Sequence, residues 1–290
     1  MGLDLQNLRA ILAAKASGVD FSAAATLGRQ TLMISEAEAA TGFSEFGQIV
    51  PETGGGLAPL LQTEFADALF QWIGGHRMES IDTSDYEQAD YLQDLNQPLK
   101  PELRERFSLL IDGGSLEHVY HFPQALTNCA QMVRPGGHLL ICNIANNFCG
   151  HGFYQFSPEL FYRVLSPENG FRIEWLVFAE YGGSGGWIRV PDPAKVGQRL
   201  NFTNCVPTYI FVLAKKLRSL DGPLQPAQQS DYVAKWQQEE AAPAAAGNSL
   251  LAALPLALKM KLRSVLAPYR RPHLTKVSAH QLRSSDVVDR

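Results

Sequence analysis

From Phe21 to about Lys215 short apolar, β-branched runs alternate with helix-length amphipathic stretches. Short apolar runs bounded by turn residues predict strands buried on both faces. Their alternation with helices predicts a mostly parallel sheet covered on both sides. Seven strands are expected, at Ala24–Gly28, Met78–Asp82, Asp90–Asp94, Ser108–Asp112, His138–Asn143, Ile173–Phe178 and Thr208–Ala214. Pro123 to Val133 places Ala125, Leu126, Cys129, Met132 and Val133 near helical spacing and stops at Arg134-Pro135-Gly136-Gly137, a helix and its terminator. Another helix is expected after Ser157-Pro158-Glu159, with Ser157 as cap and Pro158 in the first turn. The fold class is therefore α/β, a doubly wound, mostly parallel seven-stranded sheet.

Three stretches break the rhythm. Residues 36–60 carry Thr53-Gly54-Gly55-Gly56 and flanking prolines and read as an insertion or lid loop. The α/β domain is expected over residues 1–217, followed by a Pro/Ala/Gln-rich linker over 218–248 with a short helix around Tyr232–Glu240. A poorly structured basic tail follows over 249–290. Its Leu250–Leu266 segment has amphipathic helical character, with Lys259, Lys261 and Arg263 clustered late. Pro255 interrupts that segment and its charges form no clean face, which favours packing against protein over contact with a membrane surface.

Charge sharpens this division. The chain of 290 residues has net charge −4, yet residues 250–290 hold eight Lys/Arg against two Asp/Glu. The body is thus acidic, which argues against nucleic acid as its ligand. No apolar stretch approaches the ~20 residues of a membrane span, and Asp4, Arg9 and Lys15 interrupt the start, so a cytoplasmic protein is expected. The four cysteines lack a C-x-x-C pair and suggest reduced, mostly buried thiols, neither a disulfide framework nor a zinc cluster.

Candidate chemistry gathers at strand ends. Asp82, Asp94 and Asp112 each close a predicted strand, and in an open parallel sheet those carboxyl ends face the ligand crevice. A carboxylate is an acceptor able to take two ribose hydroxyl donors, and Asp82 is the natural candidate; capping of following helices is the alternative for all three. His118, His121 and His151 follow the fourth and fifth predicted strands. His151 lies between glycines in G-H-G-F-Y-Q-F, a loop in which close approach is possible and in which Tyr154, Gln155 and Phe156 are candidate pocket walls. Gly182–Gly186 lacks the Lys-Ser/Thr of a phosphate loop and reads as a flap.

The succession Ser80-Ile81-Asp82, Asp94-Leu95-Asn96, Phe107 through Val119 and Met132 through Ile141, with its R-P-G-G turn, resembles the motifs of class I S-adenosylmethionine-dependent methyltransferases over residues ~20–215. The stretch Asn146–Pro158 further resembles a bacterial branch of methyltransferase-domain proteins. The resemblance implies S-adenosylmethionine as cofactor, its ribose on Asp82 and its adenine beside Asp94, with Thr26, Gly28, Arg29, Leu95, Asp112 and Gly113 completing the donor site. It implies methyl transfer to a small-molecule or sugar acceptor, for which His151 and then His118 are the candidate bases. The first motif departs from the family's D/E-x-G-x-G. Here it reads Ala25-Thr26-Leu27-Gly28-Arg29-Gln30, with Thr26 in place of the acid and Arg29 at the turn. Arg29 has three open roles: gripping the methionine carboxylate or a phosphate, facing solvent, or pairing with an acid of the insertion. A non-catalytic binding or scaffold protein that has lost donor binding is the rival reading. A nicotinamide-dependent dehydrogenase is disfavoured because no G-x-G-x-x-G follows the first strand.

Overall fold

The computed structural model describes residues 2–48, 56–183, 186–197, 199–241 and 274–282. One mixed sheet contains β1 (Ala24–Leu27), β2 (Glu79–Asp82), β3 (Tyr91–Leu92), β4 (Phe107–Asp112), β5 (Val133–Asn146), β6 (Phe171–Glu180), β7 (Trp187–Arg189), β8 (Thr208–Lys216) and β9 (Thr275–Val277). Their order is β3-β2-β1-β4-β5-β8-β6-β7-β9. The first five strands pair in parallel. β8 is antiparallel to both neighbours, β5 and β6, and β7 is antiparallel to β6 and β9.

Both faces of the sheet are covered, as the continuous apolar strands require. From Leu109 on, the β4 side chains alternate. Leu109 and Ile111 join the core beneath α1 (Leu5–Ala16), α2 (Glu36–Glu45), α3 (Ala58–Leu61) and α4 (Asp67–Gly74), while Leu110 faces α5 (Phe122–Met132) and α6 (Pro158–Val164) on the other side, where the register shift after Phe107 places that ring too. The seven expected strands all form. β5 begins earlier than expected: α5 ends at Met132 and Val133 pairs with Phe107, so Arg134–Gly137 becomes a bulged entry into the strand rather than a turn before it.

Four expectations are corrected. The sheet has nine strands, because β7 and β9 extend its edge. Residues 36–60 are not all loop. Ser35 and Glu38 form a reciprocal capping box that starts α2, and Phe43 is fully buried, a burial worth about 1.5–3 kcal/mol. Ordered structure passes Leu217: Leu220 packs in the α5-side core, and beside α7 (Pro193–Val196) α8 (Ser230–Ala241) forms where a short helix is expected. Part of the tail is structured too, since β9 pairs with β7 and Leu282 accepts a hydrogen bond from Ser17 Oγ at 3.3 Å. The candidate amphipathic segment Leu250–Leu266 lies outside the described residues.

The glycine-rich stretch before β7 is not a free flap in its described part. Gln6 Nε2 donates to Gly183 O at 2.8 Å, and Trp187 is buried with its indole N–H donating to Gln6 Oε1 at 2.9 Å. Two cysteines are buried (Cys129, Cys142) and two exposed (Cys149, Cys205). Among the described residues no helix is long and apolar enough to cross a membrane.

Candidate functional site

At the carboxyl ends of β1 to β4 the chain reverses its winding direction between β1 and β4, the position where doubly wound sheets open a crevice. A cavity of about 600 Å³ lies there, within the size range of small-molecule sites. Its wall includes Gly28, Arg29, Gln30, Asp82, Asp94, Leu95, Asn96, Ser115 and His118.

The turn after β1 forms its floor. Gly28 has φ +66°, a left-handed conformation that favours glycine, and its N–H continues the ladder to Ile81 O at 2.7 Å. A methyl group there would stand 3.5 Å from Ser115 Oγ and 3.7 Å from Asp82 Oδ2, so glycine keeps the floor open. Thr26 does not face the cavity. It is buried, and its hydroxyl braces the turn by donating to Gly28 O at 2.8 Å.

Arg29 is turned onto the wall. Its Nε donates to Asp67 Oδ2 at 2.9 Å, Nη1 donates to Glu87 O at 3.2 Å, and the guanidinium lies 4.2 Å from the Phe65 ring centroid. Asp67 opens α4, after the stretch expected to be an insertion. The guanidinium is thereby committed to the wall and the cavity is not plugged.

The three strand-end aspartates split into two kinds. Asp82 Oδ1 accepts from Thr83 N at 2.6 Å and Ser84 N at 3.2 Å, leaving Oδ2 free among the described residues. Asp94 Oδ1 accepts both the backbone N–H and the side-chain amide of Asn96 at 2.9 Å, and these bonds hold its carboxyl below the usual carboxylate range. Its Oδ2 is likewise free among the described residues. Asp112 is different: fully buried, its Oδ1 accepts from Gly114, Ser115 and Leu116 N–H groups, and Oδ2 accepts from Asn143 Nδ2 at 2.8 Å. Burial raises its pKa, and nothing of it lines the cavity. The expectation that Asp112 touches the ligand is therefore corrected, since its carboxylate is spent folding the β4 loop back on itself. Gly113 is corrected as well, because the Gln30 side chain fills the space before it, within 2.2 Å of where a Cβ would lie.

Beside the cavity sits a cluster. The 3-10 turn Leu116–His118 buries Glu117 completely, and Glu117 Oε2 accepts from Asn143 Nδ2 at 2.7 Å. Glu117 Oε1 has no hydrogen-bond partner among the described residues. It lies 3.8 Å from His118 Nε2 and 3.6 Å from His151 Nε2, and the two imidazole rings are 5.1 Å apart between centroids. Burial, reinforced by Asp112, pushes the Glu117 carboxyl up to about 7. Burial holds both imidazoles below their usual value, helped at His118 by the neighbouring His151.

The loop bearing His151 is clamped to this turn: Phe153 N donates to Glu117 O at 2.8 Å. Gly152 permits the approach, since a Cβ there would meet that carbonyl oxygen at 2.9 Å. The expected pocket walls do not line the cavity: Tyr154 hydroxyl donates to Tyr120 O, Gln155 Oε1 accepts from Phe148 N, and Phe156 is buried against Phe122.

The decisive topological observation is the order β3-β2-β1-β4-β5 in parallel, followed by a reversed strand, β8, slotted between β5 and β6. This is the class I methyltransferase fold. Beyond the seven strands of that methyltransferase sheet, β7 and β9 are additions at one edge.

No protein-family model matches the chain, and no curated protein matches it. Among solved structures it is similar to a Bacillus halodurans protein assigned as a methyltransferase, at 13% identity and a TM-score of 0.38 over 73% of this chain and 99% of that one. It is similar to the Burkholderia thailandensis 1,6-didemethyltoxoflavin-N1-methyltransferase with bound S-adenosylhomocysteine, at 14% identity and TM-score 0.36 over 73% and 78%. It is also similar to the Thermus thermophilus branched-chain polyamine synthase with 5'-methylthioadenosine, at 11% and 0.37 over 76% and 58%. The strand order carries the fold; these overlaps are too loose to add to it.

Of the sequence-predicted residues, the cavity gathers Gly28, Arg29, Asp82, Asp94, Leu95 and His118. His151 stands beyond His118 in the cluster, and Thr26, Asp112 and Gly113 lie behind the wall. Sequence reasoning missed Gln30, Ser115 and the part played by Glu117. For Glu117 the sequence carries no signal: an acid between Leu116 and His118 is expected to be exposed, and only the fold buries it.

Proposed function

We propose that this crevice binds S-adenosylmethionine and that the chain transfers its methyl group to a small-molecule or sugar acceptor. The observation carrying the reading is that Asp82 and Asp94 each spend one carboxylate oxygen on the local backbone and keep the other unbonded at the wall of one 600 Å³ cavity. That arrangement suits the ribose on Asp82 Oδ2 and the adenine amine on Asp94, with Leu95 against the base. The absent acid at Thr26 leaves the cofactor's ammonium group to another acceptor. Gln30 suits this: its Nε2 donates to Leu27 O at 2.9 Å, and its Oε1 accepts no hydrogen bond among the described residues.

Bound S-adenosylmethionine supplies a methyl group already activated on a sulfonium. The chain's own task is then to position donor and acceptor in line. His118, at the cavity wall with His151 and Glu117 behind it, suits the role of base toward the acceptor. Held neutral by burial, its imidazole is in the form that receives an acceptor's proton near neutral pH.

The test is thermal unfolding with millimolar S-adenosylmethionine. A bound ligand stabilises the folded state by mass action, ~2.7 kcal/mol at a hundredfold excess over Kd. Absence of any shift removes the reading.

A further inference from the structure

The cluster of Glu117, His118 and His151 has a geometry that acid-base chemistry does not explain. Glu117 Oε1, on a fully buried side chain, lies 3.6 and 3.8 Å from the two Nε2 atoms and has no hydrogen-bond partner among the described residues. These separations are too long for hydrogen bonds. All three donor atoms lie within 4.8 Å of one another. A tetrahedral zinc-type ion, with bonds of about 2.0–2.2 Å, sets its ligand atoms about 3.4 Å apart; the two carboxylate–imidazole separations exceed that by about 0.2 and 0.4 Å, and the imidazole pair by at most about 1.4 Å.

From these distances we infer that Glu117, His118 and His151 form a binding site for a divalent transition-metal ion, open on the side that faces the crevice.

Four further features fit. Two carboxylates, Asp112 and Glu117, are buried together with a single amide, Asn143 Nδ2, donating to both. Among the described residues neither is paired with a lysine or arginine, so a bound cation is the partner that their ionised forms lack. The Asn143 bond to Glu117 Oε2 leaves Oε1 aimed at the imidazoles, the kind of outer support that orients metal-ligating carboxylates. Phe153 N fixes the β5 loop onto Glu117 O, and Gly152 is the close contact that permits it, so His151 is held over the carboxylate before any ion arrives. Two imidazoles and one carboxylate are a ligand set suited to zinc, cobalt or ferrous iron, with one position or more left for water or a substrate oxygen.

The position of the open side gives the ion its use. His118 belongs to both the cluster and the crevice wall, so an ion on it would hold an acceptor's oxygen at the rim of the donor cavity and, by lowering that oxygen's pKa, would replace the free His118 imidazole as the means of deprotonating it. That role rests on the methyl-transfer reading; the binding site does not.

The experiment uses the full chain, stripped with a chelator and dialysed, then titrated with Co²⁺ and with Zn²⁺. Bound metal is quantified by mass spectrometry, and the cobalt protein is followed by its visible absorption. About one ion per chain is expected, with intense cobalt bands of low coordination number. His151→Ala and Glu117→Gln should each weaken binding at least tenfold, and His118→Gln gives a second imidazole deletion should one variant fold poorly. Titration of the same samples with S-adenosylhomocysteine separates the two readings: metal without nucleoside binding sinks the methyl-transfer reading alone, and nucleoside without metal sinks this one. Substoichiometric metal, or metal equally retained by His151→Ala and His118→Gln, overturns the site.

Discussion

Replacing Asp82 with asparagine isolates the contact on which the donor site turns. In the folded chain Oδ1 is engaged by the N–H groups of Thr83 and Ser84, while Oδ2 is unbonded at the cavity wall. An asparagine can keep its carbonyl oxygen at the Oδ1 position, so the turn after β2 survives. What changes is the free oxygen: an anionic acceptor becomes an amide donor facing ribose hydroxyls. Net hydrogen bonds to charged groups contribute about 1.5–3 kcal/mol, which predicts S-adenosylmethionine binding weaker by about 10- to 150-fold. Because the turn is preserved, unfolding stability should change by no more than ~0.5 kcal/mol. Asp82→Ala loses the same affinity and also the two turn bonds, so it should be the less stable of the pair. Isothermal titration calorimetry of both variants with S-adenosylmethionine, beside urea unfolding, reads the two effects separately. Undiminished affinity in Asp82→Asn would refute the placement of the ribose.

Further outcomes follow from the neighbouring residues. Gly28→Ala should cost about 1–2 kcal/mol of stability, since its φ of +66° is left-handed, and should weaken nucleoside binding by more than about tenfold in calorimetry, its methyl lying between Ser115 and Asp82. Arg29→Ala should leave donor affinity within about threefold, because the guanidinium is committed to Asp67 and Glu87. Its stability cost, measured by urea unfolding, should stay below ~1 kcal/mol for a half-buried pair open to solvent on one side. At Asp90 burial raises the carboxyl, but the Arg77 hydrogen bond and the Ser80 N–H outweigh it and hold the pKa below the ordinary carboxylate value. A lowered folded-state pKa stabilises above the unfolded value and loses that stabilisation as pH falls through the folded one. Asp90→Asn should therefore lower urea stability at pH 7 and make progressively less difference below pH ~4, a gap that persists unchanged in acid counting against the pairing.

The strands that the sequence announces are those whose side chains do the packing. Ala24–Leu27 and Phe107–Asp112 are buried at every position, and a continuous apolar run is legible without knowledge of the partner. β7 and β9 are three residues each, Trp187-Ile188-Arg189 and Thr275-Lys276-Val277, too short to show a period. They exist because β6 offers an edge, and that is tertiary context. Helix α2 was legible in principle, since Ser35-x-x-Glu38 is a capping-box pattern, but the glycines and prolines beyond it masked the signal.

The site divides the same way. Acids at strand ends are visible in the sequence, and Asp82 and Asp94 do reach the cavity. Asp112 shares that pattern, yet the N–H groups of Gly114, Ser115 and Leu116 close onto it; which acid turns inward depends on the backbone of its loop. Thr26 and Arg29 look like defects in a motif. In three dimensions one braces the turn and the other is anchored to Asp67. The Glu117–His151 proximity joins residues on two loops, and no spacing rule brings them together.

The proposed donor site holds an adenosine between Asp82 and Asp94. A crystal structure of the chain grown with saturating S-adenosylhomocysteine shows whether it does. The expected density has ribose hydroxyls on Asp82 Oδ2 and the purine beside Leu95 with its amine toward Asp94. A nucleoside bound elsewhere, or an empty cavity at saturating ligand, would contradict it.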